Sequence, residues 1–212
     1  MRCLFIDTSS NYLSLALISN GQVLTKKVCK ASLEHSKYGM LGIEEIYKKT
    51  SLKPDDIDKI FIVNGPGSWT GIRIGVTLAK VYAWALQKEI IPVSSLKAYA
   101  LSYSGYDYYL SVIDARRGYV YAGIYDHKYE EILLEQYISV DSLNQKISSL
   151  NGTILTIGNI DVNLECKSIE PDLDILKIVK HYDKKEAVNP HLLKPNYLKR
   201  TEAEEKKESD IE

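Results

Sequence analysis

FIDTSSNYLSLALI, residues 5–18, and VIDARRGYVYAGIY, residues 112–125, can be laid one beneath the other without a gap. Ile6 then falls on Ile113, Asp7 on Asp114, Tyr12 on Tyr119, Leu13 on Val120 and Leu17 on Ile124. Each stretch reads as an apolar strand ending in aspartate, a tight turn and an alternating second strand. A unit that recurs in both halves of a chain points to duplication, which fixes architecture before any single motif does.

Outward from the first copy, SNGQ (19–22) supplies an Asn-Gly turn into a third strand, QVLTKKV. Residues 34–50 switch to a helical period, with Met40, Ile43, Ile46 and Tyr47 on one arc. IFIV (60–63) is the short all-apolar run of a strand buried on both faces. A glycine-rich loop, a helix over about 70–88, a brief strand IIPV and a serine-capped helix SSLKAYALSY follow. The second copy continues through EILLEQYI as a strand, SVDSLNQKISSL as a helix, TILTIG as a strand and DLDILKIVKHY as a last helix. The expected layout is an α/β chain of two βββαβα-type lobes, residues 1–104 and 105–199. A charged tail, residues 200–212, is nearly free of apolar side chains.

The loop NGPGSWTGIRIGV (64–76) invites a phosphate-binding reading, since a strand, a glycine loop and a helix N-terminus make an anion site. The match is weak: Gly71 is followed by Ile72 and Arg73 where a P-loop needs Lys and Ser or Thr. The G-x-G-x-x-x-G spacing is one residue longer than the dinucleotide fingerprint, and Pro66 removes an N–H. The helix offers a second explanation. Gly71, Gly75, Ala79 and Ala83 fall four apart, a stripe of small side chains that lets another backbone come close. Two readings stand: the central helix of the core, or a helix covered by its own sheet and by a partner.

Composition sets the limits around these elements. Apolar residues are 45% and charged residues 26% of 212, and the net charge is −1. That is the balance of a globular chain without the basic excess of a broad nucleic-acid-binding face. No run approaches the roughly 20 apolar residues of a membrane span. MRCLFIDTSS is too short and too soon acidic for a signal peptide, and Cys3, Cys29 and Cys166 never form a C-x-x-C pair. These features read as a cytoplasmic chain with reduced thiols.

Chemistry is less visible than scaffold. Asp7 and Asp114 sit where a strand turns back, a place for a catalytic carboxylate or for one that accepts hydrogen bonds from turn N–H groups. Arg116 and Arg117 could neutralise Asp114 or meet a partner's carboxylate or phosphate. The four histidines form neither H-E-x-x-H nor H-x-x-x-H, and Ser9, Ser68 and Ser95 lack a nucleophile elbow, so neither a metal nor a cofactor is implied. Sixteen tyrosines stand against two phenylalanines; Tyr108, Tyr109, Tyr119 and Tyr121 alternate as strand residues do and read as packing, not base-stacking platforms.

Six stretches together resemble the bacterial TsaB-type (YeaZ-type) family of tRNA threonylcarbamoyladenosine biosynthesis proteins. They are FIDTSSNYLSLAL (5–17), EHS (34–36), NGPGSWTGIRIGVTLAKVYAWAL (64–86), VSSLKAYA (93–100), IDARRGYVYAGIY (113–125) and PNYLKR (195–200). The first helix departs from the family in reading GMLG where a leucine-proline pair is usual. The resemblance implies the two-lobed actin-like, sugar-kinase and heat-shock-ATPase (RNase H-like) fold. It implies a non-catalytic subunit that activates a TsaD-type catalytic paralogue, with a TsaE-type ATPase, in threonylcarbamoyl transfer to the adenosine beside the tRNA anticodon. It further implies pairing of two copies when the paralogue is absent, and tRNA contact mainly through the complex.

Carried over, the family's helix-bundle interface falls on the helices near 35–50 and 70–86, with Met40, Ile43, Gly75, Val76, Ala79, Tyr82 and Ala83 as interface candidates. Asp7 and Ser9, with Asp114 and Arg116 in the second half, read as vestigial phosphate-type turns. The competing reading is an actin-like ATPase or phosphotransferase active on its own. Against it, the first aspartate turn lacks the usual neighbouring glycine, and TIGNID (156–161) offers one glycine where an adenine-facing pair is typical. A metalloprotease lacks its ligands.

Overall fold

A computed structural model describes residues 1–31, 35–160, 164 and 166–199. The charged tail 200–212 and Glu34 of the EHS stretch lie outside the described residues. The chain forms two compact units, Met1–Gly105 with Pro171–Asn196, and Tyr106–Glu170 with Tyr197–Glu212.

The first unit is built on β1 (Arg2–Asp7), β2 (Tyr12–Ser19), β3 (Gln22–Lys30), β4 (Lys59–Gly65) and β5 (Glu89–Ser94), in spatial order β3-β2-β1-β4-β5. β1 is antiparallel to β2 and parallel to β4, with Leu4 opposite Leu17 and Ile60. These central strands are apolar on both faces because helices cover both. α1 (His35–Lys48) and α2 (Trp69–Leu86) lie over Leu4, Ile6, Leu13, Leu15, Ile60 and Ile62. The alternate residues Phe5, Phe61, Val63 and Val93 point the other way, where α3 (Ser95–Leu101) packs on β4 and β5. Removing each such aliphatic side chain from water contributes about 1.5–3 kcal/mol.

In the second unit, β6 (Tyr108–Arg116), β7 (Tyr119–Asp126), β8 (Glu131–Ser139), β9 (Ile154–Ile157) and β10 (Ser168–Ile169) take the order β10-β9-β6-β7-β8. Substituting β1 for β6, β2 for β7 and so on reproduces the first sheet, including the parallel pairing of β6 with β9. α4 (Val140–Ser148) covers Val120, Ala122 and Ile124 through Leu143 and Ile147. Two α/β units with this repeated mixed sheet have the actin-like fold expected from the sequence.

One boundary differs from the sequence reading. The helix α5 (Ile175–Tyr182), expected in the second lobe, belongs to the first unit and packs on α3. Lys59 donates to the Asp183 carboxylate at 3.1 Å, Ser94 N to the Tyr182 hydroxyl at 3.3 Å, and Val188 N to Ile90 O at 2.9 Å. These partners are far apart in sequence, so local pattern gave no sign of them.

The two units share a hairpin geometry and its glycine but differ in the residue before it. Between β2 and β3, Asn20 (φ 51°) and Gly21 (φ 76°) form the two-residue turn, with Ser19 opposite Gln22. Between β6 and β7, Arg117 (φ 55°) and Gly118 (φ 76°) do the same, with Arg116 opposite Tyr119. Asn-Gly is the preferred pair for such a turn. Left-handed backbone costs about 1–2 kcal/mol for an ordinary L-residue, and Arg116 adopts it too, at φ 67°.

Candidate functional site

The question raised by the glycine loop is settled by what each glycine touches. A Cβ on Gly67 would overlap the Ser9 carbonyl oxygen, one on Gly71 the Thr8 carbonyl oxygen, and one on Gly75 the Thr8 Oγ1. The loop and the first turns of α2 thus press directly on the β1–β2 turn. Ser68 N donates to Ser9 O at 2.7 Å, and Thr8 Oγ1 donates to Gly71 O at 2.8 Å. The glycines serve close approach of one backbone to another.

The groups of this turn are engaged largely with one another and with the loop. Asp7, Thr8 and Ser9 are buried, and Asp7 Oδ1 accepts from Ser9 N at 2.8 Å. At the start of α2, Gly71 N donates to Ser68 Oγ at 3.2 Å and Ile72 N to Ser68 O at 2.9 Å. Two of the N–H groups that could cradle phosphate are therefore spent on the chain's own serine. On the other side of the sheet, burial and then the negative charge of Asp7 push the Tyr99 phenol upward. Asp114 and Arg116, in contrast, lie in an exposed turn, where Arg116 N donates to Asp114 Oδ1 at 2.7 Å.

The small-residue stripe faces inward. Ile43, Gly75, Val76, Ala79 and Ala83, expected to meet a partner, are sealed against the unit's own sheet. They present no surface to another protein, which corrects that expectation: small side chains announce a close neighbour, and the neighbour is β1 and β4. Tyr82 is half-buried and packs on the same core. Burial first, then the adjacent Tyr82 hydroxyl, push the Tyr47 phenol up. Of the candidates only Met40 is open to solvent, at 53%.

The outer surfaces of the same helices carry residues the sequence reading passed over. Leu41 on α1 and Trp69, Val81 and Trp84 on α2 are exposed, Trp84 at 63%. Gly39 lies against Leu78, so Met40 and Leu41 follow directly after the α1–α2 contact, and Val81 and Trp84 lie about one and two turns beyond it on α2. The signal was present in the spacing of Thr77, Val81, Trp84 and Ala85, opposite the glycines on an apolar helix. Among the described residues, no group of three His, Cys, Asp or Glu side chains is placed to hold a metal ion, and no helix is long and apolar enough to cross a membrane.

The family model for TsaD, tRNA N6-adenosine threonylcarbamoyltransferase, matches residues 29–160. The tRNA threonylcarbamoyladenosine biosynthesis protein TsaB of Bacillus subtilis is 33% identical over 97% of this chain and 97% of its own length. Its Escherichia coli counterpart is 30% identical over 74% of this chain and 71% of its own. A solved Pseudomonas aeruginosa structure, described as similar to peptidase YeaZ, shares the fold with a TM-score of 0.77 at 22% identity, covering 93% of this chain and 99% of that one. The chain belongs to the TsaB (YeaZ) family of tRNA threonylcarbamoyladenosine biosynthesis proteins.

Proposed function

We infer that this chain is a non-catalytic subunit that docks through the outer face of α1 and α2 onto a TsaD-type paralogue and activates it for threonylcarbamoyl transfer to tRNA. The observation that carries this reading is the row of exposed apolar side chains Met40, Leu41, Val81 and Trp84 on two helices whose other faces are already packed. Exposed aromatic and aliphatic side chains grouped on one surface mark protein contact sites. The hydrogen bonds from Thr8 Oγ1 to Gly71 O and from Ser68 N to Ser9 O, which tie the β1–β2 turn to the glycine loop, support the non-catalytic reading. In this reading the TsaE-type ATPase joins the same assembly in the cytoplasm, and the face pairs two copies when the paralogue is absent.

The test is co-purification of the tagged chain with the TsaD-type paralogue of the same organism. Trp84→Glu combined with Met40→Glu places two charges on the docking face without touching the core. The expected result is loss of the paralogue from the eluate while circular dichroism and melting temperature stay at wild-type values. Undiminished recovery by this folded variant refutes the docking face. In reconstitution, modification of tRNA should need both proteins, and modification by the paralogue alone at the same rate refutes activation.

A further inference from the structure

The β6–β7 turn breaks a local rule that the β2–β3 turn obeys. Where the first unit uses Asn20, the second places Arg117 in the same left-handed position, preceded by a second left-handed arginine, Arg116. Both arginines are exposed, and neither is in an ion pair among the described residues. The Asp114 carboxylate, accepting from Arg116 N at 2.7 Å, holds part of this backbone, and left-handed arginines in an exposed turn are what a functional surface produces.

The turn opens onto an aromatic stack. Arg116 is the cross-strand neighbour of Tyr119. The Tyr119 ring stacks on that of Tyr137 at 4.6 Å with the two planes nearly parallel, 7° apart, and Tyr121 meets Tyr137 at 5.8 Å. Lys199 Nζ stands 4.9 Å from the Tyr137 ring centroid. Tyr119, stacked on Tyr137, is 39% exposed, whereas Tyr109 is buried. The sequence reading took these tyrosines as packing; Tyr119 does pack, on Tyr137, yet stays partly exposed.

Two carboxylates temper the charge: Asp114, hydrogen-bonded to Arg116 N, and Asp141, next to Val140 whose N–H meets Gly118 O. Arg116, Arg117 and Lys199 still outnumber them. An acidic protein surface would use the arginines but gain little from a stacking platform, whereas an unpaired nucleotide uses both.

We propose that the β6–β7 turn is an RNA contact in which an unpaired base stacks on Tyr119 and the flanking phosphates meet Arg116 and Arg117. The proposal rests on the reading that this chain works on tRNA, and it gives the second unit a role separate from docking by α1 and α2. Phosphate contacts fix position while the stacked base requires a single-stranded stretch.

Fluorescence anisotropy at low salt tests it, with the full chain, a labelled RNA stem-loop and a fully paired duplex of matching length. The wild type should bind the stem-loop more tightly than the duplex. Tyr119→Ala should weaken stem-loop binding about 5- to 150-fold while Tyr119→Phe retains it. Arg117→Asn should keep the melting temperature, because it restores the favoured turn residue, yet weaken binding and lower the salt slope by about 1. Equal affinity for duplex and stem-loop, or no stem-loop binding by the wild type, overturns the proposal. So does a folded Arg117→Asn variant that binds RNA normally but loses the TsaD-type paralogue in co-purification. Failure of the α1–α2 variant to lose the paralogue, in contrast, bears on docking and leaves these affinities unaltered.

Discussion

Replacing Gly75 with alanine separates a buried stripe from a docking surface. The added methyl would overlap Thr8 Oγ1 and sit 3.2 Å from Ile62 Cδ1. Alanine in mid-helix gains about 0.8–1.0 kcal/mol over glycine. Against that, Thr8 must rotate and surrender its 2.8 Å hydrogen bond to Gly71 O, at about 1–3 kcal/mol for a buried group left unpaired. Overpacking against Ile62 adds about 1–3 kcal/mol. The net destabilisation should be about 1–5 kcal/mol, a fall in melting temperature of about 2–20 °C at this chain length. Urea and thermal unfolding of Gly75→Ala, Thr8→Ala and the double variant form the assay. The double variant should be less destabilised than the sum by about 1 kcal/mol, because the obstructing hydroxyl is gone. Additive effects within about 0.5 kcal/mol, or wild-type stability with weakened paralogue binding, refute the placement of this stripe in the core.

Two other outcomes follow from the same packing. Burial, then the charge of Asp183, push the Cys3 thiol up from 9.0 to about 12, and the hydrogen bond to Asp183 raises Lys59. Both groups hold their protons more tightly when folded, so stability should be flat through neutral pH and fall as pH rises above about 9. Cys3→Ala should shift the onset of alkaline unfolding upward, and an unmoved onset refutes the assignment. The purified chain should show no ATP turnover above background; robust hydrolysis abolished by Asp7→Ala would overturn the non-catalytic reading.

Local periodicity sufficed for the strands, the helices and the duplication, because alternation and apolar runs report burial directly. The pairing of Ile6 with Ile113 and of Leu17 with Ile124 is carried by equivalent strands β1, β6, β2 and β7. The glycine spacing marked one side of α2 as closely packed, but not what that side meets. Gly75 and Ala79 state that something comes close, and only the fold says that it is Thr8 and Ile62. The ownership of α5 was equally hidden, since it depends on Lys59, Ser94 and Ser102 reaching residues far along the chain. The arginine turn was visible as ARRG, but its conformation and the Tyr119–Tyr137 stack needed coordinates.

The return of Pro171–Asn196 to the first unit has a consequence for biosynthesis. Domains emerging from the ribosome generally fold from the N-terminus forward. Here the opening sheet is made early, but the Lys59 anchor to Asp183 and the bridge from Val188 to Ile90 cannot form until those residues emerge. The second unit's sheet, ending at Ile169, is translated during that interval. Nascent chains stalled near Gly105 should therefore remain protease-sensitive, and the first unit should acquire full resistance only once Asn196 has cleared the exit tunnel.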